Sequence, residues 1–171
     1  MNLIMNKTKT FVKDQLQDAE GGHDWFHKIA REFLFKLNVD SSIIEHVIKI
    51  IENISFKNSI EKNSNFTSKE LEVIQDADRL DAIGAIGIAR CFNYGGFKNR
   101  PLYNPDIKPN LNMSKAEYKN STAPTINHFY EKLLLLKDRM HTKTGKQIAK
   151  ERHAFMELYL KQFYNEWDGI K

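Results

Sequence analysis

Residues 75–90 read Gln-Asp-Ala-Asp-Arg-Leu-Asp-Ala-Ile-Gly-Ala-Ile-Gly-Ile-Ala-Arg. Three carboxylates, Asp76, Asp78 and Asp81, stand directly before a run, Ala82 to Ala89, that is apolar on every side. A helix apolar all round is expected to be buried. At about 100° per residue Asp78 and Asp81 fall on nearly one face while Asp76 points elsewhere, so the spacing predicts two acids converging beside the core. A buried carboxylate must be compensated. Three compensations stay open: pairing with Arg79, Arg90 or another basic residue, with Asp76 simply exposed; a metal ion; or protonation. Gly84 and Gly87 read as points of close helix packing; approach to a phosphate is the weaker alternative, since no strand precedes them and no glycine-rich loop surrounds them.

Working outward, the chain reads as helices in series. No proline stands between Gly22 and Gly95. Ile29, Ala30, Phe33, Leu34 and Leu37 recur at helical spacing up to Asn38-Val39-Asp40-Ser41, where Asp40 or Ser41 is placed to cap the next helix. That helix carries Ile44, Val47, Ile48 and Ile51 on one face. After a polar stretch, Thr67 or Ser68 caps a third, which takes in Leu71, Ile74, Ala77 and Ile88 and runs to Gly95-Gly96. All four prolines fall between Arg100 and Thr125. This predicts a long ordered lid loop over about 93–127, with Tyr94, Phe97, Leu102 and Tyr103 to pack it. Phe129, Leu133, Leu136 and Met140, then Ile148, Phe155, Tyr159, Phe163 and Trp167, predict a helical hairpin over about 127–168, turning at His141–Gly145. Aromatics such as Tyr159, Tyr164 and Trp167 offer a surface for a homo-oligomer, although packing on their own domain is the favoured expectation. The reading is one all-α domain over 1–171.

A hydrophobic content of 41% excludes wholesale disorder. The lone Cys91 allows no internal disulfide, which points to the cytoplasm. No apolar run approaches the ~20 residues of a membrane span, so no membrane role is expected. The net charge of +4 favours anionic ligands but is too dispersed for a duplex nucleic-acid footprint.

His23-Asp24-Trp-Phe-His27 puts two imidazoles one turn apart. The pattern departs from a zinc-peptidase helix, since the acid is Asp rather than Glu, it sits before Trp25-Phe26, and no third ligand pattern follows. By itself His23 reads as a surface or capping residue, and His27 as either a core histidine or a ligand. His46, His128, His141 and His153 read as structural. Lys57, Lys98, Arg100 and Lys108 are individually solvated charges that as a group could hold phosphate oxygens.

Gly-His-Asp-Trp-Phe-His (22–27), Ile-Ile-Glu-Asn-Ile-Ser-Phe-Lys (50–57) and above all residues 75–90 resemble a bacterial branch of the HD-domain metal-dependent phosphohydrolases. Tyr-Gly-Gly-Phe-Lys-Asn-Arg-Pro (94–101), Asn-His-Phe-Tyr-Glu-Lys-Leu (127–133) and Glu-Arg-His-Ala-Phe-Met (151–156) extend the resemblance over nearly the whole chain from Gly22. It implies an HD-domain-like helical bundle with a divalent metal, Mn2+ first and Mg2+ or another first-row ion as alternatives. In that family the ion is held by a His, a His-Asp pair and a distant Asp. His27 matches the first His and Asp78 the distant Asp. His23, Asp24, Asp81, Lys57, Lys98 and Arg100 become candidates for contacts around the metal or with the substrate, a nucleotide or related phosphate ester.

One departure stands out. In the family a helix with the His-Asp pair precedes the segment that resembles Lys28 to Asp40, whereas here Lys28 follows His27 directly. Arg31 also lies four residues after His27 rather than three. The sequence thus predicts a missing helix-containing stretch at the 27/28 junction. A true deletion would leave a weak, open site at His27 and Asp78, so the alternative expectation is an impaired remnant that binds a nucleotide or a protein partner.

Overall fold

The computed structural model describes residues 6–8, 10–11, 23–54, 66–114, 117 and 120–170, without the side chains of 23–28. Among the described residues there are helices and no strand, and no helix is long and apolar enough to cross a membrane. The chain divides into two compact units, Met1–Phe66 and Thr67–Lys171.

The first unit contains α1 (His23–Lys36) and α2 (Ser41–Asn53), which pack on each other. Asn38, at φ 54°, turns the chain out of α1 in the left-handed conformation that asparagine tolerates. Asp40 then caps α2, accepting from the Ser42 amide at 2.8 Å. Ile44 and Ile48 are buried, as their spacing predicts, and an Arg31–Glu45 ion pair ties the two helices on the outside.

The second unit contains α3 (Lys69–Asp81), α4 (Gly84–Phe97), α5 (Asn127–Glu131), a 3-10 helix (Leu133–Arg139) and α6 (Lys143–Trp167). The long α6 is its spine: α3, α4 and the 3-10 helix all pack against it. Ile83, Ile126, Phe129, Leu136 and Met156 are fully buried around it. Ser68 caps α3, accepting from Leu71 N at 3.1 Å.

Two expectations are corrected. The single helix foreseen from Leu71 to Gly95 is two, because the chain breaks at Ala82-Ile83: Ile83 is extended and Gly84 has φ +76°. Glycine is needed there, and the Arg152 side chain would also stand 3.0–3.1 Å from an added Cβ. A Cβ on Gly87 would overlap the Ala82 carbonyl, so the pair of glycines serves a tight corner between helices. The first arm of the C-terminal hairpin, in turn, is a short α-helix followed by a 3-10 helix, separated at Lys132 (φ −144°). With three residues per turn, Leu133 and Leu136 stack on one row, and both are buried.

The connection after α4 is pinned to the same unit. Thr125 N donates to Pro101 O at 2.8 Å, Ile126 N to Leu102 O at 3.0 Å, and Asn127 Nδ2 to Ile107 O at 3.0 Å. Of the four residues expected to pack it, Tyr103 does so, edge-on to Phe163, Tyr164 and Trp167 at 5.2–6.0 Å between centroids. Tyr94, Phe97 and Leu102 are exposed instead. Tyr159 and Tyr164 are half-buried in this aromatic cluster, so the packing alternative holds for them.

Gly84→Ala is expected to destabilise the chain by about 1–2 kcal/mol, the cost of a side chain in the left-handed region. Gly96→Ala, where an added Cβ meets nothing within 4 Å, is expected to be neutral or stabilising. Thermal unfolding followed by circular dichroism separates the two.

Candidate functional site

The acidic cluster lies on α3, and its rotation is set by what its buried side must satisfy. A helix N-terminus presents unpaired backbone N–H groups, and α6 begins at the end of the preceding 3-10 helix, inside the fold. Asp76 meets this demand. Its carboxylate accepts from His141 N (2.8 Å), Thr142 N (2.8 Å) and Thr142 Oγ1 (2.7 Å). The Thr142 hydroxyl in turn accepts from Gly145 N at 2.9 Å, capping α6. A Cβ on Gly145 would overlap the Asp76 carboxylate, so glycine makes room for the acid. Arg79, one turn on, donates to Arg139 O at 2.7 Å and lies 3.6 Å from Asp76 Oδ1. The acid therefore serves the start of α6 and the base serves the end of the 3-10 helix.

Asp76 is thus the buried acid, 3% exposed, and the expectation that it points away from the core is overturned. Burial by itself would raise its pKa, but the hydrogen bonds from His141 and Thr142 together hold it below its ordinary value. The same anchoring reverses the prediction for its neighbours. Two residues along, about 200° round the helix, Asp78 is exposed rather than sunk beside the core. It makes no hydrogen bond or ion pair among the described residues. Asp81 is exposed as well and pairs with Arg90. Ile74 and Ala77, expected on the buried face, also lie outside; Leu71, Asp76 and Arg79 form the inner stripe. Arginine accordingly forms ion pairs with Asp76 and Asp81, whereas Asp78 meets the charge of Arg79 without one.

Lys98 and Arg100, at the end of α4, flank one ring: the Lys98 ammonium and the Arg100 guanidinium are each 5.7 Å from the Tyr94 centroid. Lys98 also lies 4.9 Å from the Phe97 centroid, and Arg100 donates to Ser121 O at 2.5 Å. Beside Arg100 are two residues whose part in this charged cluster the sequence reading missed, His128 and Lys132. Burial, then the charges of Lys132 and Arg100, push the His128 imidazole down to about 4, so it is neutral at physiological pH. Their i, i+4 spacing was the only available signal. Burial likewise pushes the Cys91 thiol up to about 11, which makes it inert.

His23, Asp24 and His27 lie on α1 with side chains outside the described residues, and Lys57 lies outside the described residues altogether. Among the described residues no three His, Cys, Asp or Glu side chains converge as a ligand set.

No protein-family model matches the chain. Individual relatives do. YpgQ of Bacillus subtilis is 39% identical over 206 residues, covering 95% of this chain and 93% of YpgQ. A crystal structure of a Lactobacillus plantarum protein matches with 40% identity and a TM-score of 0.73, covering 84% of this chain and 67% of that one. That of an HD-superfamily hydrolase from Bacillus thuringiensis matches with 41% identity and a TM-score of 0.63, covering 92% and 68%. The chain belongs to the HD superfamily. YpgQ has also been crystallised in complex with ADP; that structure is 34% identical with a TM-score of 0.63, and this chain spans 66% of it. Because the sequence alignment with YpgQ runs over 206 positions and this chain has 171 residues, at least 35 of its positions face no residue here.

Asp76→Ala is expected to cost about 3–5 kcal/mol at neutral pH, since it leaves the buried Arg79 without its counter-charge and the part-buried His141 and Thr142 amides without their acceptor. A lowered native pKa gives stability that is complete above the ordinary value of 3.8 and is lost as pH falls through the native one. The gap between wild type and variant should therefore narrow below pH 3.8, read from denaturant midpoints across an acid series.

Proposed function

We propose that the chain is a metal-dependent phosphohydrolase acting on a nucleotide or a related phosphate ester. The observation that carries this reading is the Asp78 carboxylate: buried Asp76 turns it outward, and it is exposed, without a hydrogen bond or ion pair among the described residues. An oxygen donor of this kind suits a hard divalent ion, Mn2+ or Mg2+. His27 and Asp78 are the proposed ligands, with His23 and Asp24 beside the first of them. Asp81 stands in reserve, because its exposed pair with Arg90 is worth only about 0–1 kcal/mol and opens readily. The ion would supply Lewis acidity at a phosphoryl oxygen. Lys98 and Arg100, and Lys57 further back, would neutralise phosphate charge, with the connection that follows Arg100 as the lid. The ADP complex of YpgQ supports a nucleotide as the ligand class.

A second reading has its own support. The positions of YpgQ that face no residue here favour a nucleotide-binding chain that has lost turnover.

Phosphate release from a panel of nucleoside triphosphates, with and without Mn2+, decides between them. The hydrolase reading expects metal-dependent release. It also expects Asp78→Ala to weaken Mn2+ binding, measured calorimetrically, by more than the about 10–100-fold typical of losing a ligand's hydrogen-bond partner. Retained nucleotide binding without metal-dependent release from the intact chain would establish the second reading instead.

A further inference from the structure

Two half-buried cations stand together where α4, the connection after it and α5 meet. Arg100 leaves the end of α4, its amide donating to Gly95 O at 2.9 Å and its guanidinium to Ser121 O at 2.5 Å. Lys132 follows α5 directly. Both charges act on the same two groups, His128 of α5 and Cys91 of α4, so the four side chains lie together. Arg100 and Lys132 bring two fixed positive charges. His128, held neutral beside them, adds ring nitrogens but no charge.

Next to this cluster is a buried hydroxyl that the fold leaves unsatisfied. Thr125 is 2% exposed, and its Oγ1 meets no hydrogen-bond partner among the described residues. Its place is fixed from two sides. The Thr125 carbonyl accepts from Cys91 Sγ at 3.9 Å and from His128 N at 3.2 Å, and a Cβ on Gly95 would overlap the Thr125 hydroxyl. An unsatisfied buried hydroxyl is destabilising, and in a native structure it needs a reason. An acceptor oxygen of a bound ligand supplies one.

The charge count selects the ligand chemistry. Two fixed cations, a hydroxyl and an imidazole suit an anion with two charges and several acceptor oxygens. A phosphate monoester carries about −1.5 to −2 at pH 7 on three such oxygens, whereas a carboxylate carries one charge on two. We propose that Arg100, Lys132, His128 and the Thr125 hydroxyl form a binding site for one phosphate group of the ligand. The site presupposes the nucleotide ligand that both readings above share, and it does not presuppose turnover.

The test titrates the intact chain with inorganic phosphate at about pH 7.5, without metal, and follows the backbone amide resonances of Gly95, Thr125 and Lys132. These should shift together and saturably, whereas acetate at the same ionic strength should not saturate them. Thr125→Val removes the hydroxyl and keeps the shape. It should weaken phosphate binding at least about tenfold while the thermal midpoint stays level or rises, since the unliganded fold loses no hydrogen bond. Lys132→Gln should weaken binding by a similar factor. Lys150→Gln, at an exposed position of α6, should change it by less than about twofold. Absence of saturation at these amides, equal saturation by acetate, or unchanged affinity in both Thr125→Val and Lys132→Gln overturns the proposal. The hydrolase reading fails separately: phosphate bound here, with no metal-dependent release from nucleoside triphosphates, refutes turnover and leaves the site standing.

Discussion

The second unit is organised by one problem: two helix ends meet inside the fold with their backbone groups unpaired. The 3-10 helix ends at Arg139 and α6 begins at Lys143, leaving a carbonyl facing one way and amides facing the other. These groups are part-buried, and α3 supplies an arginine for the carbonyl and an aspartate for the amides from residues one turn apart. Arg79 and Asp76 also lie within reach of each other, which offsets the cost of burying either charge. Each offsets the other's charge, and Asp76 needs Gly145 to lack a side chain. The arrangement admits one rotation of α3, and every outward-facing residue of that helix follows from it.

The helical architecture was legible because periodicity and capping are local signals. Asp40 and Ser68 cap as their chemistry predicts, and Ile44 and Ile48 lie where their spacing puts them. What escaped the sequence was tertiary. Nothing local distinguishes Asp76, whose partners are 65 and 66 residues away, from the two acids that follow it. A pattern based on hydrophobicity therefore assigned the inner face to Ile74 and Ala77, when hydrogen-bonding demand assigns it to Asp76 and Arg79. The break at Ile83–Gly84 escaped for a related reason: glycine within an apolar run fits close packing and a left-handed turn equally well, and only the approach of Ala82 and Arg152 decides.

The candidate site was legible in kind but not in electrostatics. Three carboxylates in one short segment are a signal that the sequence carries openly. The supposition that two of them are desolvated together fails, because the one buried acid is fully hydrogen-bonded and the others are in water. Asp78 differs from both neighbours in making no hydrogen bond or ion pair among the described residues, and this difference, rather than burial, is why it is proposed as a ligand. Lys98 and Arg100 share a neighbour, Tyr94, a contact that charge patterning alone does not disclose.

Local and global signals in a natural sequence ordinarily agree, and a disagreement marks a functional or strained site. Ala82 to Ala89 is such a disagreement, since its composition fits an interior and its outer side lies in solvent. The exposure has a local cause. Gly84, Gly87 and Gly95 are the positions of α4 turned inward, where Arg152, the Ala82 carbonyl and Thr125 leave no room for a side chain. The larger residues Ile86 and Phe97 therefore fall on the outer side. Asp78 is turned outward by a constraint of the same kind, since the hydrogen bonds of Asp76 and Arg79 fix the inner side of α3.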